Sequence, residues 1–367
     1  PRDTPPKPSI TTTHPIIMSR KVLVTGASGF IAAHIVDALL QSGWDVHATV
    51  RSLKNEKKVN PIKALADKEG AKGTLELFEA DLLQPGSFSK AMEGCTAVVH
   101  TASPCPLPEE VKEPESQLLK PALEGTRNVL ESVNQTPSVL RVVITSSEAA
   151  ARGSNLDIIK AHEDKTVRES HWNDTATIDW LPYAYSKTMA EREAWKMAEA
   201  QSRWKLVTIL PGVVIGPNLT PDSSSGSLNA LGMLMNGTFM MGTPDLPFPP
   251  VDVRDVALAH LRALEREEAH GRYLIAYDRS VPWLEMADML RPAHPSPWKL
   301  PKWTIPGFFL RTVGGLLGIS RRYVDENLGY HFFMDNSRSI KELGITYRPL
   351  EQSLADHCRS WVESQNA

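Results

Sequence analysis

Two hydrophobic periodicities alternate along this chain. Lys21–Thr25 is a short run of β-favouring residues that ends at a glycine. Residues 30–42 then place Ile31, Ile35, Ala38 and Leu39 at helical spacing until Gly43 ends the pattern. Apolar runs at Asp45–Val50, Leu75–Ala80, Ala97–Thr101, Leu140–Thr145 and Leu206–Leu210 predict further strands, with helical stretches between most of them, including Gln117–Val133 and 183–200. Strands alternating with helices predict an α/β fold, a doubly wound parallel sheet with right-handed crossovers. After Pro211 the texture changes. Residues 216–250 are rich in Pro, Gly, Ser and Met and read as loops and short helices that cover something. Asp252–Arg266 returns to an amphipathic helix carrying Val256, Leu258, Ala259, Leu261 and Leu264. Short strands and helices alternate to about residue 365, and no internal repeat is visible.

Length and composition narrow the classes. A chain of 367 residues accommodates one large α/β domain with an appendage, or two modest domains. Residues 1–17, rich in proline and threonine, read as a disordered tail without the apolar core of a signal peptide. Residues 18–211 read as the nucleotide-binding domain, to which part of 250–268 returns. Residues 212–250 and 269–367 read as a smaller, discontinuous substrate-binding region. A net charge of -3 gives no reason to expect nucleic acid. Cys95, Cys105 and Cys358 are too few and scattered for a disulfide framework or a zinc site, which points to reduced thiols in the cytoplasm and no metal. Trp303–Ile319 is the longest apolar stretch near the C-terminus. It is short for a membrane span and is broken by Pro306, Gly307, Arg311, Gly314 and Gly315, so it reads as a buried or pocket-lining helix, with an interfacial membrane contact as the alternative.

The candidate chemistry begins at Thr25-Gly26-Ala27-Ser28-Gly29-Phe30-Ile31-Ala32, between the first strand and the first helix. Gly26 permits a tight turn, and Gly29 lets the backbone approach a pyrophosphate favoured by the helix N-terminus. The third small position is Ala32, which still permits close packing. An NAD-preferring site would end the second strand with an acidic residue; here Arg51 stands there, followed by Lys54, Lys57 and Lys58. A guanidinium at that point attracts the 2′-phosphate of NADP. Asp81 and Leu82 follow the third strand, where adenine should lie, and Thr101, Ala102 and Ser103 follow the fourth, where small residues would let the backbone pass close to the cofactor.

Tyr183 and Lys187, at i and i+4, share a helix face. A phenol with an ordinary pKa of about 10 is a poor acid–base catalyst near neutrality, and an adjacent ammonium favours its ionised form. Ser146 and Ser147 end the fifth strand, at the edge of the sheet that faces the ligand crevice. Ser147 is the primary candidate to hydrogen-bond a substrate carbonyl, with Ser146 as the alternative. His34 reads as structural. Met233, Leu234, Met235, Phe239, Met240 and Met241 suit either a pocket wall or core filling. Trp172 and Trp180 are possible neighbours of the site.

As a set, TGASGFIA (25–32), ATVRS (48–52), ADL (80–82), HTASP (100–104), TSS (145–147), YAYSK (183–187), PGVVIGP (211–217) and VDVRDVA (251–257) resemble the extended short-chain dehydrogenase/reductase family. Within it the chain is similar to the branch of dihydroflavonol 4-reductase, cinnamoyl-CoA reductase and fungal carbonyl reductases. The resemblance implies a Rossmann-type sheet, NADP(H) as cofactor, and a catalytic triad of Ser147, Tyr183 and Lys187. It implies that Arg51 and Lys58 meet the 2′-phosphate and that Pro211, Gly212 and Val213 line the nicotinamide. It also implies a small-molecule carbonyl or alcohol substrate, and the chain is expected to be a monomer or homodimer. Two departures matter. Glu148 stands where a small residue is usual, which predicts a charged pocket floor. Leu181-Pro182-Tyr183-Ala184 replaces the Asn-Trp-Tyr-Cys signature of the cinnamoyl-CoA branch, which argues against a thioester substrate. The rival functions are a sugar-nucleotide epimerase or dehydratase, a hydroxysteroid-type dehydrogenase, and a non-catalytic NADP-binding redox sensor.

Overall fold

The computed structural model describes residues 20–103, 111–220 and 225–366; the expected tail at 1–17, together with Pro104 and Cys105, lies outside them. Seven strands form one fully parallel sheet: β1 (Lys21–Thr25), β2 (Asp45–Val50), β3 (Leu75–Glu79), β4 (Ala97–His100), β5 (Arg141–Thr145), β6 (Lys205–Pro211) and β7 (Gly271–Ile275). Their spatial order is β7-β6-β5-β4-β1-β2-β3. The strand order reverses between β1 and β4, which opens the crevice where a dinucleotide binds in such sheets. The first six strands coincide with the apolar runs to within a residue or two at each end. The seventh, at the edge beside β6, lies in the stretch that the sequence assigned mainly to the substrate region.

Helices cover both faces, which is why the strands read as continuous apolar runs. Val22 and Val24 point to one side, into a core shared with α1 (Phe30–Gln41) and with the 253–265 helix. Leu23 points to the other side, into a core with Val129, Leu130 and Val133 of α2 (Lys120–Gln135) and with Ala194 of α3 (Pro182–Glu199). The alternation along β1 thus sorts its side chains between two helix layers.

A further core joins Ile215, Leu231, Leu234, Met235, Trp283, Met286, Leu290, Leu300, Leu350 and Leu354. Short ladders tie its segments together: Val213–Ile215 with Pro250–Asp252, Thr243–Pro244 with Thr304–Ile305, and Pro247–Phe248 with Val281–Pro282. Leu234 and Met235 are therefore core, whereas Met233, Met240 and Met241 are exposed. The Trp303–Ile319 stretch forms a short helix, Gly307–Val313, whose Leu310 is buried but whose Phe308 and Phe309 face outward. The expectation of a buried helix fails there, because an apolar run of this length does not reveal whether a second layer covers it.

Candidate active site

The glycine turn is built by steric necessity. Gly26 adopts φ +70°, in the left-handed region that favours glycine, and a Cβ there would come within 3.0 Å of Ala102 Cβ. The Ala27 N–H donates to Thr49 O at 2.9 Å, locking the turn to β2. Gly29 caps α1 in extended conformation, without a side-chain cap and without an acidic residue in the first turn. The first-turn N–H groups of Phe30, Ile31 and Ala32 have no intrahelical acceptor, so this N-terminus suits an anion. Ser28 is half-buried in the turn, and the Phe30 ring is buried edge-on against His34. His34 in turn bonds the Pro217 carbonyl at 2.8 Å, a structural role.

Next to the turn, the Thr25 hydroxyl accepts from the N–H groups of Thr101 and Ala102, both at 3.1 Å. Its single hydrogen is then free for His100 Nδ1, 2.8 Å away. His100 is therefore the neutral tautomer protonated at Nε2. Burial, reinforced by the Lys187 charge, lowers its pKa to about 3. Thr101, Ala102 and Ser103 thus run directly beside Gly26, and Ala102 and Ser103 line one small cavity with His100, Thr145, Ser146 and Lys187.

Arg51 follows the last residue of β2 and is exposed; among the described residues no carboxylate lies within 4 Å of its guanidinium, and the same holds for the Lys58 ammonium. Lys58 belongs to the short helix Glu56–Lys63, capped by Asn55. Asp81 is engaged in a turn, its Oδ1 accepting from Leu83 N at 2.8 Å. Leu82 lies over Gly125 of α2, where a Cβ would sit 2.9 Å from Leu82 Cδ2. Asn128, which sequence reasoning missed, shapes this loop by donating to the carbonyls of Leu82 (3.1 Å) and Gln84 (2.7 Å).

The α3 helix carries Tyr183 and Lys187 one turn apart. Leu181 at φ 56° turns the chain sharply, and Pro182 starts the helix, consistent with its preset φ and missing N–H. Lys187 is buried and its Nζ donates to Thr145 O, at the end of β5, at 3.3 Å. Ser147 caps the 3-10 turn Glu148–Ala150, its Oγ accepting from Ala149 N at 3.2 Å, and α3 packs against that turn. The Ser146 hydroxyl points elsewhere and donates to Glu191 Oε2 at 2.7 Å.

Glu191 is the residue that sequence reasoning overlooked, although it extends the Tyr183–Lys187 spacing by one more turn. Its buried carboxylate accepts from Ser146 Oγ, Thr208 Oγ1 (2.8 Å) and Arg272 Nε (2.8 Å). Arg272, on β7, also donates to the Glu169, His171 and Ala150 carbonyls and stacks on Trp172 at 3.9 Å. Trp172 thus supports this network, and Trp180 lies under the Arg322 guanidinium at 4.0 Å. The expectation of a charged pocket floor is also corrected. Glu148 is gripped by both arms of Arg152, which neutralises it. On the far side of the crevice, Gly212 is required by close approach: a Cβ would lie 2.1 Å from Pro249 O. Pro211 ends β6, and Val213 N donates to that same Pro249 carbonyl at 2.7 Å.

A glycine turn, an uncapped helix N-terminus and a Tyr/Lys helix at the carboxyl edge of a parallel sheet define a dinucleotide-binding protein of the doubly wound class. The chain belongs to the NAD dependent epimerase/dehydratase family, which it matches over residues 22–276. It is 37% identical to tetraketide alpha-pyrone reductase 1 of Arabidopsis thaliana over 94% of this chain and 95% of that protein. It is 36% identical to a cinnamoyl-CoA reductase of Medicago truncatula, covering 94% and 97%. Among solved structures it superposes on yeast methylglyoxal/isovaleraldehyde reductase Gre2 complexed with NADPH, with a TM-score of 0.72, 27% identity, and coverage of 94% of this chain and 99% of that one.

Proposed function

We propose that this NADP(H)-dependent oxidoreductase is a carbonyl reductase that converts an aldehyde or ketone to an alcohol. The observation that carries the reading is the buried Lys187 ammonium, one turn from Tyr183 and held at the end of β5 next to the serine pair. The residues present fit the cofactor. Gly26, Ser28, Gly29 and the first-turn N–H groups of Phe30 and Ile31 suit its pyrophosphate, Arg51 and Lys58 its 2′-phosphate, and Asp81 and Leu82 its adenine end. Thr101, Ala102 and Ser103 border its path, and Pro211, Gly212 and Val213 its nicotinamide end. NADPH, when bound, supplies the hydride.

The chain's own groups do the rest. Ser147, with its Oγ already accepting from Ala149, keeps its hydrogen for the substrate carbonyl oxygen. Tyr183 gives its phenolic proton to that oxygen as the carbonyl carbon is reduced. Lys187 stabilises the phenolate that remains, and solvent reprotonates it. Pairing with Arg152 leaves Glu148 no unanswered negative charge beside Ser147, which suits an uncharged carbonyl substrate. Replacement of Asn-Trp-Tyr-Cys by Leu181-Pro182-Tyr183-Ala184 weighs against a thioester, even though a cinnamoyl-CoA reductase is among the relatives. The free, buried Cys95 and Cys358 suit a reducing compartment, and we assign the chain to the cytoplasm.

The test is Tyr183→Phe, assayed by NADPH consumption across a panel of aldehydes and ketones. Loss of turnover with NADPH affinity retained supports the reductase. An unmodified chain that binds NADPH but turns over no carbonyl would return the reading to a redox sensor.

A further inference from the structure

Six large apolar side chains stand out of the surface together with two lysines. Met240, Met241, Trp298, Trp303, Phe308 and Phe309 are each between 46% and 71% exposed. They come from two segments that the fold joins. Thr243–Pro244 pairs with Thr304–Ile305, and Thr243 N donates to Trp303 O at 3.2 Å. A Cβ at Gly242 would lie 2.8 Å from Trp303 Nε1, and one at Gly237 would touch the Lys299 stem at 3.6 Å. Beneath this face, Met235, Leu231 and Leu300 belong to a filled core. The exposed side chains lie outside that core.

Within the two apolar segments themselves, 237–242 and 298–309, the charged residues are the two lysines alone. From Pro297 to Arg322 the chain carries Lys299, Lys302, Arg311, Arg321 and Arg322 and no acidic residue, in a protein of net charge -3; residues 237–242 carry no charge at all. Arg311 and Arg321 are answered by Asp325, and Arg322 by Glu326. Lys299 and Lys302 have no carboxylate within 4 Å among the described residues, and Lys299 sits 5.5 Å from the Trp298 ring. We propose that 237–242 and 298–309 form a surface that lies on an anionic lipid bilayer. Tryptophan and phenylalanine enter the boundary between headgroups and acyl chains, while the lysines reach up to the anionic headgroups. A second copy is a poorer occupant, because a two-fold contact would bring Lys299 and Lys302 against their own images, and neither 237–242 nor 298–309 holds an acid to answer them. The contact lies on the bilayer and does not cross it: no described helix is long and apolar enough to span one.

The experiment is co-sedimentation of the full chain with phosphatidylcholine vesicles and with vesicles that also contain phosphatidylserine. The chain pellets with the second kind, and the tryptophan emission shifts to the blue. Lys299→Gln and Lys302→Gln each weaken the association roughly fivefold, the effect of one cation near an anionic surface. Phe308→Ser with Phe309→Ser abolishes it at an unchanged circular dichroism spectrum; if that pair fails to fold, Met240→Ser with Met241→Ser takes its place. Failure of the unmodified chain to bind phosphatidylserine vesicles at low salt overturns the proposal. So does a dimer in solution that the phenylalanine variant dissociates, since the partner is then a second copy.

Discussion

Replacing Glu191 perturbs stability and catalysis through one group. Its side chain is 1% exposed and faces the Arg272 guanidinium, itself 8% exposed, at 2.8 Å, with the hydroxyls of Ser146 and Thr208 on the same carboxylate. Glu191→Ala leaves a buried guanidinium with only the carbonyls of Glu169, His171 and Ala150, and breaking such a pair on one side costs about 3–5 kcal/mol. With an unfolding entropy of about 2.1 cal/mol/K per residue over a chain this long, the melting midpoint should fall by about 4–6 °C. The Ser146 hydroxyl loses its acceptor, and the β5 end, which also carries Ser147, loses a restraint. Turnover therefore falls as well, while NADPH affinity holds, because the glycine turn lies on β1 and α1. Adding Arg272→Met to Glu191→Ala removes the stranded charge and should recover part of the melting midpoint. Calorimetry of the single and double variants, with kcat and KM for the substrate found in the panel, checks both halves. A Glu191→Ala protein that melts within about 1 °C of the parent would refute the reasoning about the buried pair. A double variant less stable than the single would show that Arg272 is not stranded.

Other consequences can be measured in parallel. Ser147→Ala should lower kcat about 100- to 1000-fold, as loss of one donor to a developing oxyanion does, while Ser146→Ala costs about 1 kcal/mol of stability and little turnover; the reverse ranking would show that the wrong hydroxyl was assigned. Arg51→Glu should raise KM for NADPH by about tenfold to a hundredfold and leave NADH nearly unaffected, and an unchanged NADPH-to-NADH preference would place the 2′-phosphate elsewhere. His34, His260 and His357 have pKa values lowered to about 4 by burial, and His100 to about 3 by burial and the Lys187 charge. The unfolded chain takes up these protons below pH about 6.5 and the folded one does not. Stability should therefore fall as pH drops from about 6.5 toward about 4, by about 1.4 kcal/mol per pH unit for each histidine. A melting midpoint that stays flat between about pH 7 and about pH 5 would contradict the burial argument.

The first strand, the glycine turn and α1 were legible because they depend on neighbours in sequence. The left-handed Gly26, the uncapped Gly29 and the apolar spacing of 30–42 all lie within one strand–turn–helix unit. Lys187 was legible for the same reason, one turn from Tyr183 on a helix opened by Pro182. The choice between Ser146 and Ser147 was not settled in that way. The two differ by one residue, and Ser146 is drawn off by a carboxylate on a helix 45 residues further on. Glu148 read as a free charge because Arg152 follows through a 3-10 turn that no periodicity marks. Phe308 and Phe309 read as buried because a short apolar helix has the same pattern whether or not another layer lies above it.

By itself, then, the chain's order of residues determined the parallel α/β sheet, the glycine turn, the basic end of β2 and the tyrosine–lysine face, since each follows from torsional preference and spacing over a few residues. Only the tertiary structure decided which charges are answered, which serine hydroxyl is bound to a carboxylate and which apolar faces remain uncovered. Those depend on residues brought together from distant parts of the chain, where burial raises the cost of an unpaired charge and a single ångström separates a bond from a clash.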